Sequence, residues 1–137
     1  MSVMTATRTG TDLPELTFSA GLPGLSGLHR FALVRLDEVG GLFALRSLED
    51  PDVRLLLGAP WVCAPGYAAE VDDDVATDLD LREPEDALVL LVLNAGDSLA
   101  TTTVNHVAPV VVNAMSGRAA QVVQVDRDLP LRAPFGG

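Results

Sequence analysis

Apolar and polar residues alternate with a period of two over short stretches of this chain, with turn-forming residues between them. Leu13 to Phe18 reads as a strand with Leu16 and Phe18 on one face. Ser19 to Gly27, rich in glycine around Pro23, reads as a loop. Phe31–Leu36 and Leu42–Leu48, separated by Gly40 and Gly41, suggest a hairpin. Val53–Leu57 is a further apolar run, ended by Gly58 and Pro60, and Tyr67–Val71 is read as another strand. Asp78 to Leu81 suggests a single helical turn, broken by Pro84. Ala87 to Asn94 is the strongest strand signal, and Ser98 to His106 follows it across a Gly96-Asp97 turn. A closing hairpin is expected from Val107–Val112 and Val122–Val125, joined by a polar turn containing Ser116 and Gly117. Pro109 sits at the start of the first run, where a strand can spare an N–H.

Short strands at this spacing predict an all-β domain, a sandwich or a barrel, antiparallel, with at most one or two short helical turns. Alternation nominates Phe31, Leu33, Phe43, Leu45, Leu90, Val92, Val110 and Val112 for the core, with Val111 competing for the parity of its neighbours. The 137 residues suit one domain. Residues 1–10, rich in Ser and Thr, are expected to be a frayed tail, and 11–137 the β domain.

Composition narrows the function more than the fold. The net charge of −10 argues against direct nucleic-acid binding and against an anionic membrane surface. It favours basic partners, although it also serves solubility. The chain has no Ile and no Lys; all nine basic residues are Arg. Cys63, the only cysteine, excludes an intramolecular disulfide and reads as a small packed residue. Met1 to Gly10 has no apolar core, so no secretory signal is expected. The longest apolar run, Ala87–Leu93, falls far short of the roughly 20 residues that span a bilayer, so a cytoplasmic protein is expected.

Catalytic patterns are not evident. His29 and His106 lie in no metal-ligand spacing; His106 reads as a structural or edge position and His29 as a solvated one. Gly21, Gly24 and Gly27 do not match a phosphate loop. Glu70, Asp72, Asp73, Asp74, Asp78, Asp80, Glu83, Glu85 and Asp86 face a single basic residue, Arg82. Counted from Asp72, a calcium loop would need glycine where Thr77 stands, so that assignment fails. The stretch is either a solvated loop or a docking face for a basic protein. No enzyme activity, cofactor or metal is therefore expected. A small-ligand-binding β-barrel stands as an alternative function.

Thr103, Asn105, Ala108-Pro109-Val110-Val111-Val112-Asn113 and Gln121-Val122-Val123 resemble the T-x-N-x-x-A-P-I-V-I-N…Q-V motif of the FliW flagellar assembly factors. Leu16-Thr17-Phe18 through Gly21-Leu22-Pro23-Gly24-Leu25 resembles that family's I-x-F-P-x-G-L-P-G-F, and Leu45-Arg46-Ser47 stands where L-Q-S is usual. Departures include Ser19 for proline, Leu25 for phenylalanine, Arg46 for glutamine, and a tail that keeps Arg132 and Pro134 but loses a Tyr and a His. The resemblance implies a compact β-barrel-like domain without catalytic activity. It implies flagellin and the translational repressor CsrA as partners, with CsrA held off flagellin mRNA. On that basis Glu70, Asp72, Asp73, Asp74 and Asp78 are candidates for CsrA contact. Leu129, Leu131, Arg132 and Phe135 are candidates for flagellin, on a tail that Pro130 and Pro134 would hold extended without sheet pairing. Leu22, Pro23 and Leu25 offer a second apolar surface.

Overall fold

The computed structural model describes residues 15–18, 27–37, 41–83, 86–124 and 128–136. The expected tail at 1–10, and Leu22, Pro23 and Leu25, lie outside the described residues. Among the described residues nine strands follow one another as β1 (Leu16–Phe18), β2 (Arg30–Arg35), β3 (Leu42–Ser47), β4 (Arg54–Gly58), β5 (Ala87–Asn94), β6 (Thr103–Val104), β7 (Val110–Asn113), β8 (Arg118–Gln121) and β9 (Ala133–Pro134). Two short helices, α1 (Pro60–Cys63) and α2 (Asp73–Asp78), lie between β4 and β5.

The strands pair in the order β4-β3-β2-β1-β8-β7-β5, and a β4–β5 ladder closes the ring into a seven-stranded barrel. Closure removes the exposed edges that an open sheet would leave. Every ladder is antiparallel except β1–β8, where Thr17 pairs with Arg118 and Phe18 with Ala119. Strands β6 and β9 extend the sheet beyond the barrel from the far end of β5.

Alternation places Leu16, Phe18, Phe31, Leu33, Phe43, Leu45, Leu57, Leu88, Leu90, Val110 and Val112 in one interior cluster, with Val92 packed against it. The eight residues nominated from periodicity all belong to this cluster or its margin. Phe18 and Phe31 meet edge to face with centroids 5.4 Å apart. The interior is filled with side chains, as small barrels are.

Val111 is buried as completely as Val110 and Val112, because β7 is covered on both faces. The competing parities are thus both correct. The segment between β4 and β5 wraps the outside of the barrel and creates two further cores. One joins Cys63, Ala64, Leu91, Leu93, Val104 and Ala133 under α1. The other joins Leu79, Val111 and Val122 under α2. Cys63 is fully buried, its thiol donates to the Ala59 carbonyl, and burial pushes its pKa up to about 11. A thiol held protonated in this way is a packing group.

Several sequence expectations are corrected. Tyr67–Val71 is not a strand: its backbone joins no ladder, and the Tyr67 hydroxyl donates to the His106 carbonyl instead. The helical turn lies at Asp73–Asp78 rather than Asp78–Leu81, because Asp72 supplies the N-cap and Asp80, at φ 57°, ends it in the left-handed region. Within Ser98–His106 only Thr103 and Val104 form a strand; Leu99–Thr101 is a single 3-10 turn. The second arm of the closing hairpin is Arg118–Gln121, which starts directly after Gly117 at φ 82°. Val122 and Gln124 still bond the Pro109 and Val107 carbonyls beyond the ladder. His29 is half-buried, with Nδ1 2.7 Å from the Phe18 carbonyl oxygen, and is not the free solvated side chain expected.

Candidate functional site

The acidic stretch folds as a short amphipathic ledge on the outer wall of the barrel. Asp72 caps α2 by accepting from the Val75 N–H at 2.9 Å, and Asp73 and Asp74 fill the first turn, where the helix dipole favours negative charge. Val75 and Leu79, four residues apart, turn inward; Leu79 is buried against Val111 and Val122, with Val71, Leu81, Val89 and Ala120 around it. The opposite face carries Asp73, Asp74 and Asp78, all exposed, with Glu70 and Asp72 exposed at the approach. The five residues nominated for a basic partner therefore share one short stretch, within which the carboxylates of α2 project to solvent.

Two buried amides from the closing hairpin hold this ledge in place. Gln124 makes a reciprocal pair with the Glu70 backbone: its Oε1 accepts from the N–H at 2.8 Å and its Nε2 donates to the carbonyl at 2.9 Å. Asn113 donates from Nδ2 to the Leu79 and Asp80 carbonyls, while its Oδ1 accepts from the Met115 and Ser116 N–H groups. Asn105 does equivalent work in the turn between β6 and β7, accepting from the Val107 and Ala108 N–H groups. The asparagines of the hairpin motif thus serve architecture: one shapes the turn before β7 and one clamps the acidic ledge. Sequence reasoning did not foresee the clamping role of Asn113 and Gln124, since nothing local marks their partners. Asn113→Ala should lower stability by about 2–3 kcal/mol, because it strands buried backbone groups. Urea unfolding measures that loss, and amide exchange across α2 should accelerate alongside it.

Between α2 and β5 lies a half-open groove of about 440 Å³, lined by Ala69, Val71, Ala76, Leu81, Ala87 and Val89, with Arg82 and Glu83 at the lining's polar end. Arg82 reaches Asp80 at 3.6 Å across an exposed pair, a contact that contributes little. An apolar floor beside a row of free carboxylates suits a protein segment that brings both an apolar anchor and positive charge.

The candidate flagellin residues lie elsewhere, and the tail differs from expectation. Far from running free of the sheet, it supplies β9, which pairs with β6 at Thr103↔Pro134 and Val104↔Ala133. The prolines do not prevent this, because a two-residue edge strand needs few N–H donors. Ala133 is buried in the second core and Phe135 packs against it. Leu129 is half-buried, whereas Leu131, 58% exposed, and Arg132 face outward.

His106 marks the junction of tail and barrel. Its N–H donates to the Pro130 carbonyl, its ring packs edge-on to Tyr67, and its Nε2 is buried with no hydrogen-bond partner among the described residues. Desolvation lowers its pKa. The fold therefore binds fewer protons here than the unfolded chain. The stability from neutral His106 is complete above the unfolded value near 6.5 and is lost as pH falls below it. Melting curves between about pH 7 and pH 5 should show this decline, and His106→Phe should flatten it.

Among the described residues, no helix is long and apolar enough to cross a membrane. A relative in Bacillus licheniformis, the flagellar assembly factor FliW, is 28% identical over 122 residues, covering 89% of this chain and 85% of that protein. The FliW of Pseudothermotoga lettingae is 33% identical over 110 residues, covering 80% of this chain and 70% of its own length. A crystal structure of the flagellar assembly factor FliW superposes with a TM-score of 0.80 at 24% identity, covering 88% of this chain and 84% of the other, and shows the same fold. The model of the FliW protein family matches residues 4–135, nearly the whole length, and with these relatives it establishes that the chain belongs to the FliW family.

Proposed function

We propose that this protein is a cytoplasmic flagellar assembly factor that binds flagellin and antagonises a CsrA-type translational repressor, coupling flagellin synthesis to assembly. The relatives named as flagellar assembly factors support the assembly role. The observation that carries the repressor half is the clamped acidic ledge beside its apolar groove. A repressor that grips RNA must carry a basic surface, and a rigid row of carboxylates attracts it without competing through nucleic-acid chemistry. The work is binding and release, with no catalysis, cofactor or metal.

Flagellin is assigned to a different part of the surface, centred on Leu131 and Arg132 with Leu129 and Phe135 behind them. An amphipathic flagellin segment brings its own apolar face, so this contact is chiefly apolar with a polar rim and tolerates salt. Separate surfaces let one partner influence the other without direct overlap. The test is calorimetric titration of the full chain with flagellin and with the CsrA-type repressor from the same bacterium. Binding of each is expected, with the repressor's affinity falling steeply between low and physiological salt and flagellin's changing little. A chain that binds neither would overturn the proposal.

A further inference from the structure

We infer that the outer face of β2, β3 and β4 is a second docking surface, built for an acidic amphipathic protein segment. Arg46 and Arg54 stand directly opposite each other in the β3–β4 ladder, and both are exposed. Like charges at paired positions destabilise a sheet. In an acidic protein the simple remedy is a nearby carboxylate, yet neither arginine makes an ion pair among the described residues. Asp50 and Asp52, in the turn between β3 and β4, form no ion pair with either arginine among the described residues, and two further acids are engaged elsewhere. Glu15 pairs with Arg30, and Glu49 accepts from the His29 and Arg30 N–H groups. A chain with 19 acidic and nine basic residues thus sets two arginines side by side with no ion pair among the described residues.

Next to this pair runs an apolar row. Val34, Ala44 and Leu56 are cross-strand neighbours in the register and share the outward parity of Arg46 and Arg54; Ala44 is buried and Leu56 packs against the second core, so the exposed part of the row lies toward β2. Val34 is 38% exposed, and Leu36, beyond it at the strand end, is 52% exposed. Trp61, the only tryptophan, is 59% exposed, and its ring tip lies over Gly41 at that same end. Elsewhere the outward apolar positions of β5 and β7 are covered by α1, α2 and the tail. On the β2–β4 wall Val34, Leu36 and Trp61 stay exposed, on a face that also carries the exposed arginines. Arginine and tryptophan are the residue types most often dominant in interfaces.

Charge selects the occupant. Two adjacent guanidinium groups match carboxylates, and the exposed Val34, Leu36 and Trp61 match apolar side chains on the same segment. A polyanion such as RNA would meet the field of a protein carrying −10 without filling that row. This surface is distinct from the ledge at α2, which selects the opposite charge, and the inference does not depend on the proposed function.

The test is a titration of the isotope-labelled full chain with three synthetic helix-patterned peptides, Glu/Leu, Gln/Leu and Lys/Leu, followed by amide chemical shifts. The Glu/Leu peptide should shift Val34, Leu36, Arg46, Arg54 and Trp61, and should bind about tenfold more tightly than the Gln/Leu peptide. The Lys/Leu peptide should avoid this face. The double variant Arg46→Gln, Arg54→Gln should lose that preference while melting at an equal or higher temperature, since it relieves repulsion. Equal binding of the Glu and Gln peptides, shifts confined to other faces, or no binding would overturn the inference. So would a lower melting temperature of the double variant, which would give the arginines a role in folding. Self-association of the chain that the double variant abolishes would assign the face to a second copy and overturn it equally.

Discussion

Deleting Leu129–Gly137 should cost about 3–5 kcal/mol, a large share of the roughly 5–15 kcal/mol that holds a domain of this size together. The deletion removes β9, whose ladder covers the only free side of β6. It removes Ala133 and Phe135 from the second core and exposes Leu93 and Val104 beneath them. It also removes the bonds from Phe135 N–H to the Thr102 carbonyl, from Gly136 N–H to the Cys63 carbonyl, and from His106 N–H to the Pro130 carbonyl. Urea titration of the shortened chain measures the effect. An unchanged midpoint would show that the tail lies on the barrel without supporting it. Because the deletion acts on folding, a flagellin contact is better probed by Leu131→Asp, which alters an exposed side chain and should leave stability nearly unchanged.

Phe31→Ala should be the most damaging single substitution, at about 3–5 kcal/mol. Phe31 is fully buried, pairs with Leu16 and Ser47 on its two neighbouring strands, and meets Phe18 edge to face. Barrel closure leaves no free edge through which the wall could collapse, so the cavity should persist. Chemical unfolding gives the magnitude. A loss under about 1 kcal/mol would mean that the wall relaxes into the space, contrary to a rigid closed ring.

The strands of the barrel interior were legible in the sequence because each has one face inward and a period of two. Phe31 and Leu33 on β2, and Phe43 and Leu45 on β3, follow that rule. Where a strand is covered on both sides the signal is ambiguous, and Val110-Val111-Val112 is such a case. Barrel closure between β4 and β5 was not legible, since no local pattern reports which strands meet. Neither was β9: two residues holding a proline carry no strand signal, and only the partner Thr103-Val104 creates the ladder.

The candidate site was half legible. Charge identified Asp72, Asp73, Asp74 and Asp78 as one group, but not that Asp72 is also the helix cap. The groove beneath them depends on Ala76, Ala87 and Val89 meeting across the barrel wall, a contact made by topology alone. The arginine pair at Arg46 and Arg54 is a register effect, visible only once β3 and β4 are aligned.

The central claim is that the acidic ledge recruits a basic regulator, and its most direct test is an association rate. Stopped-flow mixing of the full chain with the CsrA-type repressor should show association that slows steeply as salt rises, because screening acts over about 8 Å at physiological ionic strength. Changing Asp72, Asp73 and Asp74 together to Asn keeps the helix cap, since Asn caps as well as Asp. The triple variant should melt close to the parent while associating about tenfold more slowly at low salt. An unchanged low-salt association rate in a folded triple variant would contradict the account and leave the ledge as solvated surface.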